Sequence, residues 1–161
     1  MSAIHSARGG FEGAHVLDAF AGSGALGIEA LSRGAESAVL CERDRGAASV
    51  IERNLAAVGL GRDEARLIRG DVLKRSPLAA TAPFDLLFLD PPYATPPADV
   101  MGLVKRLDEA GCVAFDALIS YEHDEGDDDS VAASASAAGW SVASHRRFGD
   151  TVIDLLERTD A

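Results

Sequence analysis

The segment His15-Val16-Leu17-Asp18-Ala19-Phe20-Ala21-Gly22-Ser23-Gly24-Ala25-Leu26-Gly27 carries the strongest structural signal in the chain. A short apolar run enters the pattern G-x-G-x-x-G and continues into helix-forming residues, which predicts a strand at 15–20 and a helix at 24–33. Gly22 and Gly24 allow a tight turn and close backbone approach of a ligand. Taken alone, the motif fits a dinucleotide, S-adenosylmethionine or a tight packing turn.

Strand and helix patterns alternate outward from this segment. Apolar runs predict further strands at 36–42, 65–69, 84–90 and 117–122. Helical spacing predicts helices at 44–58, 97–110 and 130–138, with a weak helix or loop at 71–80. Two last strands, at 140–148 and 151–158, are joined by a tight turn at Gly149-Asp150.

This order predicts an α/β fold with helices on both faces of a mainly parallel seven-stranded sheet and an antiparallel C-terminal hairpin. Residues 1–161 are expected to form one Rossmann-like domain. The acid-rich stretch at 122–129 predicts a flexible loop.

Composition narrows the class of protein. The chain has 26 acidic and 15 basic residues and a net charge of −11, which argues against strong non-specific binding to nucleic acid. No apolar run reaches the roughly 18 residues of a membrane span, and residues 1–13 lack the apolar core of a signal peptide. Cys41 and Cys112 lie in apolar stretches, as reduced core thiols do. We therefore expect a cytoplasmic protein with no membrane association and no metal site.

A second motif, Asp90-Pro91-Pro92-Tyr93, follows the apolar run at 84–89. Open α/β sheets bind ligands at the carboxyl ends of their strands, and two prolines give the chain a stiff path out of the sheet. The Asp90 carboxylate and the Pro91 carbonyl could accept the two N–H bonds of an exocyclic amine, while Tyr93 stacks on a flipped base. This favours an amine methyltransferase over a hydride-transfer enzyme, although a Pro-rich turn is the alternative for the tetrapeptide alone.

Three acids follow strands in positions that suit a nucleotide cofactor. Asp18 could order the glycine loop or reach the ligand's amino group through water. Glu42 lies where ribose hydroxyls are bound in such sheets, and Asp71 could accept from an adenine amino group or cap a helix. The predicted cofactor-binding residues are Asp18, Phe20, Gly22, Ser23, Gly24, Gly27, Glu42, Arg43, Asp71, Val72 and Asp90.

Two further side chains are open to more than one interpretation. His123 could assist proton removal after methyl transfer, but a structural histidine is the preferred interpretation. Trp140 is interpreted as a core residue rather than as a platform for base stacking.

The chain resembles the RsmD-type 16S rRNA guanine-N2 methyltransferases. The resemblance rests on 16–35, on 85–93 and on 146–151, where this chain has Arg147-Phe148-Gly149-Asp150 in place of the family's Arg-Tyr-Gly-Asp. It implies S-adenosylmethionine as cofactor, S-adenosylhomocysteine as product, and one guanine of 16S rRNA, within the small ribosomal subunit or its assembly intermediate, as substrate of a monomeric enzyme.

The resemblance also implies residue roles. Gly22, Gly24 and Glu42 match the cofactor loop and ribose acid, Asp71 matches the adenine-side acid, and Asp90, Pro91, Pro92 and Tyr93 match the catalytic loop. The family usually has a basic N-terminal arm, and residues 1–13 correspond to the helix and lead-in that follow it.

Three alternatives remain open from the residues themselves. The acceptor could be adenine N6 or a protein amide, with the same cofactor. The chain could also be a non-catalytic S-adenosylmethionine-binding module. An NAD-dependent oxidoreductase fits the glycine motif but leaves Asp90-Pro91-Pro92-Tyr93 unexplained.

Overall fold

Alternating strands and helices build one mixed sheet in the computed structural model, which describes residues 2–77 and 82–160. The strands are β1 (His15–Asp18), β2 (Ser37–Glu42), β3 (Ala65–Arg69), β4 (Phe84–Leu89), β5 (Val113–Asp124), β6 (Trp140–Phe148) and β7 (Thr151–Arg158). The helices are α1 (Ser2–Arg8), α2 (Ala25–Ser32), α3 (Arg45–Ala57), α4 (Pro97–Glu109) and α5 (Asp128–Ala137).

The seven strands are arranged in the order β3-β2-β1-β4-β5-β7-β6. The first five are parallel to their neighbours, whereas β7 runs antiparallel to both β5 and β6. The predicted fold class is confirmed, including the antiparallel C-terminal hairpin. Because β7 pairs with β5 through the register Tyr121↔Asp154, the last strand lies inside the sheet and β6 forms its edge.

Helices cover both faces of the sheet, and the strands alternate their side chains between two cores. Leu87 and Leu89 of β4 pack with α4 and α5, whereas Leu86 and Phe88 pack with α1, α2 and α3. Side chains therefore alternate between the two faces with a period of two. Asp90 directly follows the last residue of β4 and so lies at the carboxyl edge of the sheet, where open α/β sheets bind ligands.

The helix predicted at 44–58 shows how local sequence sets its ends. Asp44 is the N-cap of α3 and accepts a hydrogen bond from the Ala47 N–H at 2.8 Å. The chain leaves the helix through Gly59, whose φ of +74° lies in the left-handed region that favours glycine. Both ends agree with the prediction to within one residue.

The acidic segment at 122–129 is not the flexible loop predicted from its composition. Strand β5 extends through His123 and Asp124 because these residues pair with Val152 and Thr151 of β7. A single 3₁₀ turn, Glu125–Asp127, then leads directly into α5. Pairing with a distant strand therefore overrides the local preference of acids for solvent-exposed loops.

Other predicted boundaries also differ from the structure. Strand β1 ends at Asp18 rather than at residue 20, since the chain then turns into the glycine loop. Strand β5 begins at Val113 rather than at residue 117, because Val113 pairs with Phe84. The segment predicted at 71–80 forms a turn at residues 72–74, and its last three residues lie outside the described part of the chain.

Core predictions for single residues are confirmed. Cys41 and Cys112 are buried free thiols, and burial raises the pKa of Cys41 to about 12. Trp140 is 1% exposed, with the guanidinium carbon of Arg158 4.8 Å from its ring centroid. Within residues 2–77 and 82–160, no helix combines the length and apolar character that crossing a bilayer requires.

Candidate active site

The loop between β1 and α2 is held in one shape by its glycines and their neighbours. Gly22 and Gly24 have φ of +59° and +83°, in the left-handed region. A Cβ built on Gly24 would lie 3.3 Å from side-chain atoms of Ile51 and Leu40, so the loop packs closely on α3 and β2. The Asn54 side-chain amide donates to the Ser23 carbonyl at 3.0 Å, which anchors the exposed part of the loop.

Asp18 supports this loop from below. Its Oδ2 accepts a hydrogen bond from the Gly27 N–H at 3.2 Å, and the residue is 1% exposed. Burial raises the pKa of the Asp18 carboxyl to about 7, with a further rise from the charge of Glu42, while the Gly27 bond opposes it. Of the two interpretations of Asp18, the structure thus supports the ordering of the loop. The side chain does not line the cavity next to the loop.

A cavity of about 260 Å³ opens at the carboxyl ends of β1, β2, β3 and β4. We call it the β1–β4 cavity. Its walls include seven of the eleven residues predicted to bind cofactor: Phe20, Gly22, Glu42, Arg43, Asp71, Val72 and Asp90. The other four, Asp18, Ser23, Gly24 and Gly27, lie in the strand end, loop and helix start that support this wall. Thr95 also lines the cavity, and nothing in its sequence context pointed to it.

Glu42 is fixed at the mouth of this cavity by two backbone groups. Its Oε1 accepts from the Gly22 N–H and its Oε2 from the Asp44 N–H, both at 2.8 Å. Each carboxylate oxygen has a second lone pair, so both can still accept a hydroxyl donor from a ligand. The acid is therefore positioned before any ligand arrives.

Asp71 lies across the cavity from the glycine loop, after β3. Its Oδ1 accepts from the Leu73 N–H at 3.0 Å, which closes a local side-chain turn. Its Oδ2 lies 4.0 Å from Nη1 of Arg43. Asp71 caps a turn rather than an α-helix within residues 71–77, and its second oxygen can still accept.

A second cavity, of about 110 Å³, adjoins the first and is called the β4–β5 cavity. The two share the residues Asp90, Pro91, Pro92 and Thr95, so the motif after β4 forms the wall between them. The remaining walls come from the end of β5, the turn after it, Thr151 and Tyr93. The predicted catalytic loop thus lies between the two cavities.

Asp90 and Glu122 face the β4–β5 cavity together. Leu89 pairs with Tyr121 in the sheet, so the next residue of each strand extends from the same edge. Partial burial raises the pKa of Asp90 to about 7, and the carboxyl of Glu122 adds a hydrogen bond and a charge in the same direction. Glu122 was missed as a site residue, because the acidic run around it indicated a solvent-exposed loop.

Tyr93 presents an aromatic ring at the outer side of this cavity. The residue is 83% exposed, and the carboxylate of Asp124 beside it raises the pKa of its phenol. The Thr95 N–H donates to the Pro92 carbonyl at 2.9 Å, which closes the turn that carries the ring. An exposed aromatic ring on a rigid loop suits a planar partner.

His123 belongs to a buried network next to the cavity. Its Nε2 lies 2.7 Å from Oδ2 of Asp154, and its Nδ1 lies 2.9 Å from the Asp124 carbonyl. Nδ1 of His145 lies 2.5 Å from the other oxygen of Asp154. Because both ring nitrogens of His123 are engaged, the structure favours a structural role for this residue. Arg147 forms an ion pair with Glu125 close by, at the tip of the hairpin.

In the part of the chain that the structure describes, no three side chains among His, Cys, Asp and Glu are grouped as a metal site.

Comparisons with known proteins identify relatives of this chain. The model of the family described as Conserved hypothetical protein 95 matches residues 2–157. The chain is 33% identical over 149 residues to ribosomal RNA small subunit methyltransferase D of Escherichia coli (strain K12), covering 90% of this chain and 69% of that protein. It is 39% identical over 116 residues to the putative rRNA methyltransferase YlbH of Bacillus subtilis (strain 168), covering 71% of this chain.

The chain spans 61% of the length of the Bacillus relative. Among solved structures, the putative methyltransferase yhhF from Escherichia coli superposes with a TM-score of 0.81 at 30% identity. That superposition covers 99% of this chain and 84% of the other.

Proposed function

Because the chain belongs to the Conserved hypothetical protein 95 family, an RsmD-type family of methyltransferases, we propose that it methylates the exocyclic N2 amine of a guanine in 16S rRNA. The methyl donor is S-adenosylmethionine. The observation that carries this proposal is the position of Asp90-Pro91-Pro92 as a shared wall between two cavities. A methyl donor in the β1–β4 cavity and an acceptor base in the β4–β5 cavity would both lie beside the Asp90 carboxylate.

The residues of the β1–β4 cavity fit S-adenosylmethionine. The two Glu42 oxygens can accept from the ribose hydroxyls, Asp71 can accept from the adenine amino group, and Val72 offers an apolar surface to the adenine ring. When bound, the cofactor supplies an electrophilic methyl group on a sulfonium and leaves as S-adenosylhomocysteine. The walls of the cavity restrict access of water to that group.

The residues of the motif prepare a poor nucleophile. The lone pair of the guanine N2 amine is delocalised into the purine ring. Hydrogen bonds from its two protons to the Asp90 carboxylate and the Pro91 carbonyl favour a pyramidal nitrogen with its lone pair directed at the methyl group. As the new N–C bond forms, the nitrogen loses a proton, which Asp90 can accept because its pKa is about 7. Tyr93 stacks on the flipped base.

The partner is 16S rRNA in the small ribosomal subunit or its assembly intermediate. The protein binds it as a monomer in the cytoplasm. The net charge of −11 leaves little general attraction to RNA, so recognition depends on local features. Arg146 is exposed on the edge strand β6, where it lines a further cavity together with Asp90 and Glu122, and it offers such a contact.

We expect methyl transfer to depend on the ionisation of Asp90. The carboxyl accepts hydrogen bonds and a proton only when ionised, and its raised pKa of about 7 places the change near neutral pH. The second-order constant kcat/KM, which reports the pKa of the free enzyme, should therefore rise with pH through about 7 and fall about tenfold per pH unit below it. A rate independent of pH between 5.5 and 8.5 would contradict this role of Asp90.

Replacing Glu42 by alanine should weaken S-adenosylmethionine binding by about 1–3 kcal/mol, since two charge-assisted hydrogen bonds to the ribose are lost. Calorimetric titration measures the effect. Glu29→Ala is the matched control, because Glu29 is a half-exposed acid of α2 whose one ion-pair partner among the described residues is Arg33. Equal affinity of the two variants would remove Glu42 from the cofactor site.

The direct test is methyl transfer itself. The purified chain is incubated with labelled S-adenosylmethionine and small ribosomal subunits that lack the modification, and the label is located in digested rRNA by mass. Label on guanine N2 supports the proposal. Label on adenine N6 or on a protein amide would show that guanine N2 is not the acceptor. Cofactor binding without any transfer would indicate a non-catalytic module.

A further inference from the structure

We propose that Glu122 accepts the N1–H of the target guanine next to Asp90 and thereby selects guanine over bases with a lone pair at that ring position. The inference rests on the proposed function and adds a specificity-determining residue to it. Strands β4 and β5 end side by side at the carboxyl edge of the sheet.

Asp90 and Glu122 form a pair of acceptors with a defined spacing. They follow the paired residues Leu89 and Tyr121, so the distance between the neighbouring strands sets their separation. Both line the β4–β5 cavity, on the side where Pro91 and Tyr93 also contribute. None of the ion pairs among the described residues involves either carboxyl.

The charged lining of the cavity consists of acceptors. Besides Asp90 and Glu122, the acids Asp124 and Asp127 line it, and the described residues of this lining include no lysine or arginine. His123 also lies in this wall, but Asp154 and the Asp124 carbonyl engage its two nitrogens. A ligand that fits this lining presents hydrogen-bond donors along one edge.

Guanine is the base that presents two neighbouring kinds of donor there. Its Watson–Crick edge places the N1–H directly beside the N2 amine, which matches two adjacent carboxyls. Adenine and cytosine place an unprotonated ring nitrogen beside their amine. With adenine or cytosine, the Glu122 carboxylate would face this lone pair and would have no donor to accept from. Both the repulsion between the two lone pairs and the missing hydrogen bond disfavour that complex.

The electrostatics of the free site agree with this assignment. Burial and the neighbouring Glu122 raise the pKa of Asp90 to about 7, since two carboxylates in contact repel each other. Two N–H donors from a guanine edge would each donate to one of these carboxyls and so offset the repulsion. Binding of the correct base therefore relieves a repulsion that is built into the site.

The test compares two acceptors that keep the N2 amine but differ at N1. Small-subunit rRNA is ligated from two pieces, with guanine or 2-aminopurine at the position that the transfer assay identifies. Both are assembled into subunits, and kcat/KM is measured for each. The wild-type chain should prefer guanine by about a hundredfold or more, because 2-aminopurine has a lone pair in place of the N1–H.

Glu122→Gln should reduce this preference at least about tenfold, since the amide can donate to the 2-aminopurine N1. Glu109→Gln makes the same change of charge at the exposed end of α4 and should leave the preference unchanged. A Glu122→Gln variant with the wild-type preference would overturn the role of Glu122 alone. A wild-type preference near one would overturn it too, whether or not the variant folds. Failure of the wild type to label guanine N2 would overturn the proposed function as well.

Discussion

Asp90→Ala is expected to abolish methyl transfer, lowering the single-turnover rate by about a thousandfold or more. Of the described residues that line both cavities, Asp90 is the one whose side chain can accept from the amine and then take its proton, and the substitution removes it. Cofactor affinity should stay within a few fold of wild type, since the predicted ribose and adenine contacts come from Glu42 and Asp71. The two measurements are rapid-quench transfer to small subunits and calorimetric titration of S-adenosylmethionine.

Asp90→Asn is the matched control for this prediction. The amide oxygen can still accept one N–H bond of the amine, but it cannot take the proton or titrate near pH 7. We expect an intermediate rate, with the pH dependence of the wild type lost. Near-normal turnover of the alanine variant would show that the amine is not held by Asp90, and the mechanism would have to be abandoned.

Asp154→Ala is expected to cause the largest loss of stability among single carboxylate substitutions, about 3 kcal/mol. Asp154 is 2% exposed and bonds the rings of His123 and His145. Alanine would leave the His123 ring, whose side chain is 3% exposed, without its partner on Nε2. The hairpin strand β7 would also lose its side-chain link to both neighbouring strands.

Urea denaturation measures this effect as a shift of the midpoint at constant slope. Asp154→Asn keeps an acceptor oxygen and should cost less than the alanine variant. Glu29→Ala breaks an exposed pair on α2 and should change the free energy of unfolding by less than about 0.5 kcal/mol. If Asp154→Ala were as mild as Glu29→Ala, the network would contribute little to the fold.

Much of this molecule could be predicted because its signals are local. Strand β3 and the capped helix α3 follow from apolar spacing, Asp44 and Gly59, all within a few residues of each other. The glycine loop was predictable for the same reason, since the backbone of Gly22 and Gly24 has its own conformational requirement. These elements needed no knowledge of distant partners.

The predictions that were incomplete depend on distant pairing. The acidic segment at 122–129 became the end of β5 and the start of α5 because β7 pairs with it from about thirty residues away. The position of Glu122 beside Asp90 was not predicted either, because Glu122 was interpreted as one acid of a solvent-exposed acidic segment. Its place beside Asp90 depends on the register between β4 and β5, a long-range contact that no local pattern records.

The sequence alone thus predicted the α/β class, and it placed Asp18, Glu42, Asp71 and Asp90 at or just after the ends of four strands. Neighbouring residues determine the alternation of side chains in a strand, the conformation of a glycine and the end of a strand. All three are therefore short-range properties. Tertiary structure assigned these acids their different positions, with Asp18 buried under the loop and Glu42 facing the cavity. It also brought Glu122 beside Asp90 and placed β7 between β5 and β6, because strand order and register arise from packing between segments far apart in the chain.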